Sequence, residues 1–305
     1  MSFGLVAAIA LATFAVVAAA LLAHMIFVAP TRLRLTEIEA PIAGLPAALD
    51  GYTLVVLSDM HYGGTLAPAQ HIECAVRLAQ QAEPDLVVLL GDYGMSHRVL
   101  HALSRRLYEW ALPELAPALA CLRARDGVVA VLGNHDHEYD PDVIVRWLTG
   151  LGVRVLVNEC VCIERGGARL AIGGVDDFKW GEVDPYGGCA GVPAGVPRVI
   201  VSHNPDAVTA LAPDARVDLV LAGHTHGGQI VLPLIGAPMR HARVCGWHCA
   251  SGWVPNPHAP LYVSTGVGSF LPLRLNCPPE VLVVRLRASG VTEAVRQSVS
   301  ERVRQ

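Results

Sequence analysis

The chain alternates short apolar runs with polar, glycine-bearing loops, and the period of the apolar positions predicts its elements. TLVVLS at 53–58, DLVVLL at 85–90 and GVVAVL at 127–132 are continuous β-branched and leucine-rich runs, the signature of strands buried on both faces. Between the first two, PAQHIECAVRLAQQA at 68–82 repeats its apolar residues at helical spacing, so this region reads as a βαβ unit. The segment 97–125 is rich in Leu, Ala and Arg and reads as helical, with Pro113 and Pro117 expected to break it into two pieces. Shorter strands are expected at 153–157, 160–164, 168–173, 198–202 and 217–222, with a helix near 206–212. Alternation first and hairpin-like strands afterwards predict an α/β sandwich of mixed sheets.

The amino terminus has another pattern. Phe3 to Val28 carry no charged side chain, and as a helix they would reach roughly 39 Å, enough to cross a hydrocarbon core with some tilt. A cleaved signal peptide needs a basic start and a shorter apolar stretch, and MSFGLVAAIA contains no Lys or Arg. Residues 1–30 are therefore expected to form an uncleaved single-pass anchor of the inner, cytoplasmic membrane. Arg32 and Arg34, the first basic side chains, place the following domain on the cytoplasmic side. The prolines and glycines of residues 31–51 suggest a connector that touches the domain without building its centre. Residues 52–290 are expected to fold as one domain, followed by a polar tail at 291–305.

Charge and cysteine content narrow the classes. A net charge of −4 gives no support for a broad nucleic-acid-binding surface, and no protein partner is inferable. The eight cysteines are scattered without a CxxC pair, which argues against a zinc ribbon or a redox motif. Cys245 and Cys249, flanking GWH, are open to pairing or metal binding; otherwise the thiols are isolated, as in a reducing compartment. A periplasmic form with disulfides is the alternative.

The candidate chemistry sits where the apolar runs end. SDMHYG supplies Asp59 and His61, GDYG supplies Asp92, GNHD supplies Asn134 and His135, SHNPD supplies His203, and GHTHGGQI supplies His224 and His226. Two metal ions about 3.5 to 4 Å apart need a shared anionic oxygen and neutral donors on each side, and Asp92 is the natural bridge. Asp59 and His61, two apart, would share a face if the strand end were extended. Singly, an Asp-x-His pair is usually a turn or cap, and Asn134 after a glycine could stabilise a left-handed turn. Together, seven ligand-type residues at successive strand ends predict a two-metal site. Mixed imidazole and carboxylate donors suit Mn, Fe, Zn or Co, and affinity order alone does not choose among them; Mn is the expected ion, with Fe, Zn or Co as alternatives. No GxSxG elbow, P-loop or adjacent Cys–His pair is present.

The five clusters, in this order, resemble those of the calcineurin-like metallophosphoesterases over about residues 52 to 286. STGVGSFLPLRLNCPPEVLVVRL resembles the membrane-associated bacterial branch that includes UDP-2,3-diacylglucosamine pyrophosphatases. The resemblance implies two central sheets flanked by helices. It places Asp59, His61, Asp92 and His226 on one ion and Asp92, Asn134, His203 and His224 on the other, with a water acidified by both as nucleophile. His135 is then expected to face the phosphate, donating a proton to the leaving oxygen or stabilising charge. Asp136 would orient the His135 ring, or else cap the helix beginning near Pro141. Met95 departs from the acidic or amide residue many relatives carry after the bridging Asp, which makes Tyr93 and His97 candidate substrate contacts or ordinary packing residues. Arg274 could grip a phosphate or make a structural salt bridge. The loops 176–179 and 230–260 are the expected specificity loops, the second offering an apolar surface to acyl chains or a bilayer or simply packing. The implied function is hydrolysis of a phosphorylated lipid or nucleotide-lipid at the membrane, with UDP-2,3-diacylglucosamine the leading substrate. A broad-specificity membrane phosphodiesterase or phosphatase is the alternative, and a non-catalytic metal-binding scaffold the alternative of another class.

Overall fold

The computed structural model describes residues 2–63, 69–96, 101–246 and 250–289. It opens with α1 (Phe3–Ala23), which continues through a π-turn and a 3-10 turn to Thr31. This 29-residue stretch is apolar, is long enough to cross a membrane, and has no buried residue in its most apolar part. Then follow β1 (Arg34–Ala43), β2 (Thr53–Leu57), α2 (Ala69–Gln81), β3 (Leu86–Leu89), α3 (His101–Leu119), β4 (Val128–Ala130), α4 (Asn134–Tyr139), α5 (Pro141–Gly150) and β5 (Arg154–Val155). The second half holds β6 (Glu159–Arg165), β7 (Ala168–Gly174), β8 (Arg198–Ser202), β9 (Leu219–Ala222), β10 (Gly252–Val254), β11 (Leu261–Val263) and β12 (Glu280–Ser289).

Two six-stranded mixed sheets face each other, in the orders β1-β12-β2-β3-β4-β5 and β10-β11-β9-β8-β7-β6. Their facing surfaces share one core: Leu54, Val56, Leu86 and Val88 from the first sheet meet Ile172, Val199, Val201 and Leu221 from the second. The alternate residues Val55, Leu57, Val87 and Leu89 pack outward under α2, α3 and α5. Burial on both faces is why these strands read as unbroken apolar runs. On α2 the buried residues are His71, Ile72, Ala75, Val76 and Ala79, one face of the helix.

Three features differ from the sequence expectation. Pro113 and Pro117 do not split α3, which is continuous. Glu109 and Pro113, whose carbonyls lose their donors to the prolines, are exposed, so water can satisfy them, while Tyr108, Leu112, Leu115 and Leu119 anchor the opposite face in the core. Residues 34–43, expected within a connector, form β1, which pairs in parallel with β12 along its length. Ala40, Ile42, Leu45 and Leu49 are buried in the inter-sheet core. The 206–212 helix is a 3-10 turn over Pro205–Ala210, and the tail at 291–305 lies outside the described residues.

The register positions the chemistry. β2, β3 and β4 run parallel with Leu57 opposite Leu89 and Leu89 opposite Ala130, so the loops that follow leave the sheet side by side. In the second sheet Ser202 lies opposite Ala222, which brings the loops after β8 and β9 to the same end.

Candidate metal centre

All seven ligand-type residues meet at this carboxyl end of the two sheets. Hydrogen bonds from Asp59 N to Gly91 O, His61 N to Asp92 O and Tyr62 N to Tyr93 O zip the loops after β2 and β3 together. The approach is close enough to explain the motif glycines. A Cβ on Gly91 would overlap the Gly133 backbone, and one on Gly223 would overlap Ser58 and Asp59. Asp59, His61, Asp92, His224 and His226 all have positive φ, from 43° to 70°. Asp59 and His61 therefore converge through left-handed backbone and not, as expected, from an extended strand end. Non-glycine residues in that region cost free energy, and their concentration here marks a site that the surrounding fold over-determines.

Among the described residues three groups of donor atoms form, each within 4.8 Å: Asp59, His61 and His226; His61, Asp92 and His135; and Asp92, His203 and His224. His61 Nε2 lies 2.9 Å from His226 Nε2, and His203 Nε2 lies 3.1 Å from His224 Nδ1 and 3.3 Å from Asn134 Oδ1. Asp92 Oδ2 stands between the sets, 3.5 Å from His61 Nε2 and 3.2 Å from His203 Nε2. His203 Nδ1 faces Leu90 O at 2.8 Å. As that nitrogen donates to the carbonyl, Nε2 is the ring nitrogen that faces the cluster. Burial pushes His61 down to about 3 and lowers His224 and His226, keeping these rings neutral, as metal ligands must be. Burial works against charge on His203 too, but the neighbouring Asp92 and Asp59 carboxylates raise it to about 10. Two buried carboxylates, three neutral imidazoles and the inward-facing His203 Nε2, which would release its proton on binding a cation, are a donor set that fits divalent cations.

The remaining candidates divide. His135 lines the cleft beside the cluster, with Nδ1 2.6 Å from Ser96 O and 3.6 Å from Glu138. Asp136 neither orients that ring nor caps α5. Its carboxylate accepts from Gly133 N, Asp92 N, Tyr93 N and the Tyr108 hydroxyl, while Asp140 caps α5 by accepting from Val143 N. Asp136 thus fixes the backbone on either side of the bridge. Burial, reinforced by Asp92, pushes it up to about 6. Tyr93 is no substrate contact: it is fully buried, donates to Val131 O and packs edge-on against Trp147. Arg274 is also fully buried, is not among the residues of the cleft wall, and forms no salt bridge among the described residues. Its guanidinium donates to Ser269 Oγ and to the carbonyls of Thr265, Gly268 and Cys277, and lies 3.4 Å from His226 O. It braces the loop behind His226. His97 and Cys249 lie outside the described residues.

A cleft of about 290 Å³ opens over the metal-type residues, and Lys179, Trp180, His241, Phe270, Ser96 and Glu138 complete its wall. Sequence reasoning flagged the loops of Lys179 and His241 but missed Trp180, Glu138, Ser96 and Phe270. Trp180 adjoins the DDFK loop and Phe270 lies within the STGVGSFLP stretch, so position along the chain was the available signal.

Residues 52–228 match the calcineurin-like phosphoesterase family. The chain is 32% identical to phosphodiesterase YaeI of Escherichia coli over 77% of its own length and 82% of that protein's. It is 29% identical to a Danio rerio transmembrane protein with a metallophosphoesterase domain, over 83% of this chain and 57% of the relative. Among solved structures it resembles a 5'-nucleotidase precursor from Thermus thermophilus, with a TM-score of 0.46 and 15% identity over 83% of this chain and 59% of that one.

Proposed function

The chain belongs to the calcineurin-like phosphoesterase family, and on that footing we propose that it hydrolyses a phosphodiester or pyrophosphate linkage of a lipid at a membrane surface. The specific substrate we propose is UDP-2,3-diacylglucosamine, split to UMP and 2,3-diacylglucosamine 1-phosphate. The observation that carries the hydrolytic reading is the placement of Asp92 Oδ2 between His61 and His203, where one anionic oxygen can serve two cations. Asp59, His61, Asp92 and His226 would hold one ion, and Asp92, Asn134, His203 and His224 the other, with Mn the proposed metal and Fe, Zn or Co able to replace it. When bound, the ions supply Lewis-acid polarisation of the phosphoryl group and acidify the attacking water.

This chain's own residues do the rest. His135 is held by Ser96 O through Nδ1, which leaves Nε2 to carry a proton to the leaving oxygen. Lys179 brings a cation to the cleft wall, and Trp180 and Phe270 offer apolar ring faces to a base or an acylated sugar. The apolar amino-terminal helix and the transmembrane relative support a membrane location. Arg32 and Arg34, just past the helix, support an inner-membrane protein with its domain in the cytoplasm. The relative named a phosphodiesterase supports a diester substrate that need not be a nucleotide lipid.

The test incubates the detergent-solubilised, Mn-loaded protein with UDP-2,3-diacylglucosamine and follows UMP, beside His135→Ala. The parent is expected to release UMP and the variant to fall by about 10² to 10⁴, with its metal content unchanged. Hydrolysis of bis(p-nitrophenyl) phosphate without UMP release would reject the nucleotide lipid and keep the diesterase. Metal uptake with neither product would reject catalysis in favour of a scaffold.

A further inference from the structure

Outside the amino-terminal helix, Leu234 is the most exposed large hydrophobic side chain among the described residues, at 99%, and its neighbour Ile235 is 51% exposed. Both sit on a tight turn, Leu232–Gly236, closed by hydrogen bonds from Leu232 N to Gly236 O and from Gly236 N and Ile235 N to Leu232 O. Pro233 precedes Leu234, whose φ is 67°, the arrangement of a type II turn that favours Gly or Asn at that position. A leucine there gives up both conformational ease and apolar burial within its own fold. Such a side chain points to a partner that takes it up.

The surroundings say which partner. Arg274 N donates to Met25 O, near the end of the amino-terminal apolar stretch, and Val231 N donates to Leu275 O. Two adjacent backbone hydrogen bonds thus tie the turn's stem to the foot of that stretch. Arg34 lines the same cavity as Leu232 and Leu234, and Phe27 and Arg32, which flank the end of the apolar stretch in sequence, are exposed. An apolar tip beside a membrane-crossing stretch, with two arginines at its base, matches a bilayer interface with anionic headgroups.

We propose that the Leu232–Gly236 turn is a membrane finger: Leu234 and Ile235 enter the acyl region of the leaflet from which the amino-terminal helix emerges. It takes the membrane location proposed above as given. Residence at the membrane comes from the helix, so the finger's contribution is orientation. Phe270, on the wall of the metal cleft, belongs to the segment that follows from Gly268 to Arg274 and on to the finger's stem, so two attachment points would fix the cleft relative to the bilayer surface.

The experiment places photoreactive benzoylphenylalanine at position 234 of the full chain, reconstituted in vesicles of phosphatidylcholine and phosphatidylglycerol, and weighs the intact protein after irradiation. The control carries the same probe at position 164, where Glu164 is exposed on β6, the far edge of the second sheet from β10. The expected result is at least about fivefold more lipid adduct at 234 than at 164. Equal adduct at both, or cross-linking of 234 to a second copy of the chain, would overturn the finger. Lipid adduct at neither site from a chain that floats free of the vesicles would overturn the membrane location itself. No step of this readout needs hydrolysis, so it stands apart from the substrate test. A second variant, Leu234→Gly with Ile235→Ser, suits the left-handed turn and should fold. It is expected to hydrolyse bis(p-nitrophenyl) phosphate at the parental rate while presenting the domain to the bilayer in a wider spread of tilts, read by fluorescence quenching from the membrane surface. An unchanged tilt would overturn the orienting role.

Discussion

The two ends of the β-sandwich each carry a cluster of charged residues that ties the sheets together, and they do so in opposite ways. At the amino end, Arg165 of the second sheet donates to Asp85 Oδ1 at 2.9 Å and to Asp126 Oδ2 at 2.7 Å, and stacks over Tyr52, whose hydroxyl also reaches Asp126. Each acid there has a cationic partner supplied by the chain. At the carboxyl end, Asp59 and Asp92 share their space with imidazoles that burial mostly holds neutral. One nearby guanidinium, Arg274, spends its donors on carbonyls and Ser269. The first cluster is complete as it stands, whereas the second is a donor set assembled for cations. Similar residue types thus yield stability at one end and chemistry at the other, according to whether the fold supplies the counter-charge.

That contrast can be broken at either end. The largest effect is expected from Asp92→Asn, which keeps the shape and the acceptor for His135 N but removes the shared anion. Activity should fall by about 10³ or more and metal content measured by plasma mass spectrometry should drop, with the melting temperature within a few degrees of the parent. The mirror-image variant is Arg165→Met. It should leave metal content and kcat intact while lowering stability by about 1 to 2 kcal/mol, read by urea titration, since the ion pairs it removes are only partly buried.

The smallest effect is expected at the carboxyl end, in the His137–Asp176 pair at 2.8 Å. Burial opposes charge on His137, but the Asp176 hydrogen bond and charge outweigh it and raise the imidazole; burial opposes charge on Asp176 as well, and the His137 contact overcomes it and lowers the carboxyl. A raised histidine contributes stability that is full below its unfolded value of about 6.5 and disappears as pH climbs through the folded value. The lowered carboxylate contributes above its unfolded value of about 3.9 and is lost as pH falls through the folded one. His137→Gln should therefore cost about 1 kcal/mol near pH 6, and the cost should shrink towards pH 9. A cost that stays constant from pH 6 to pH 9 would show that the pair is not charged.

Much of this molecule was legible before folding. The unbroken runs at 53–58, 85–90 and 127–132 announced strands covered on both sides, and the ligand-type residues after them announced where the chemistry gathers, because parallel strands put successive carboxyl ends next to one another. The glycines of GD, GN and GH were legible as punctuation, although only their contacts show the backbones pressed too close for a Cβ. Edge elements were harder to read. β1 carries Glu37, Glu39 and Pro41, a composition that suits a solvated edge and looks like a connector. The prolines of α3 misled because sequence shows the missing donor and not the exposed face that lets water replace it.

The roles of individual polar residues beyond the ligands needed the fold. Asp136, Tyr93 and Arg274 have the chemistry of catalytic or binding groups, and sequence reasoning offered them to the substrate. The structure turns all three inward, to backbone amides, a carbonyl and a ring of carbonyls, because a buried polar group takes whichever partners packing brings within reach. Those partners are distant in the chain. Periodicity and residue type, being local, determined the strands, the apolar helix and the order of the donors. Which polar groups face the cleft, and that the Leu234 turn stands beside the foot of that helix, were decided by contacts between segments far apart in sequence.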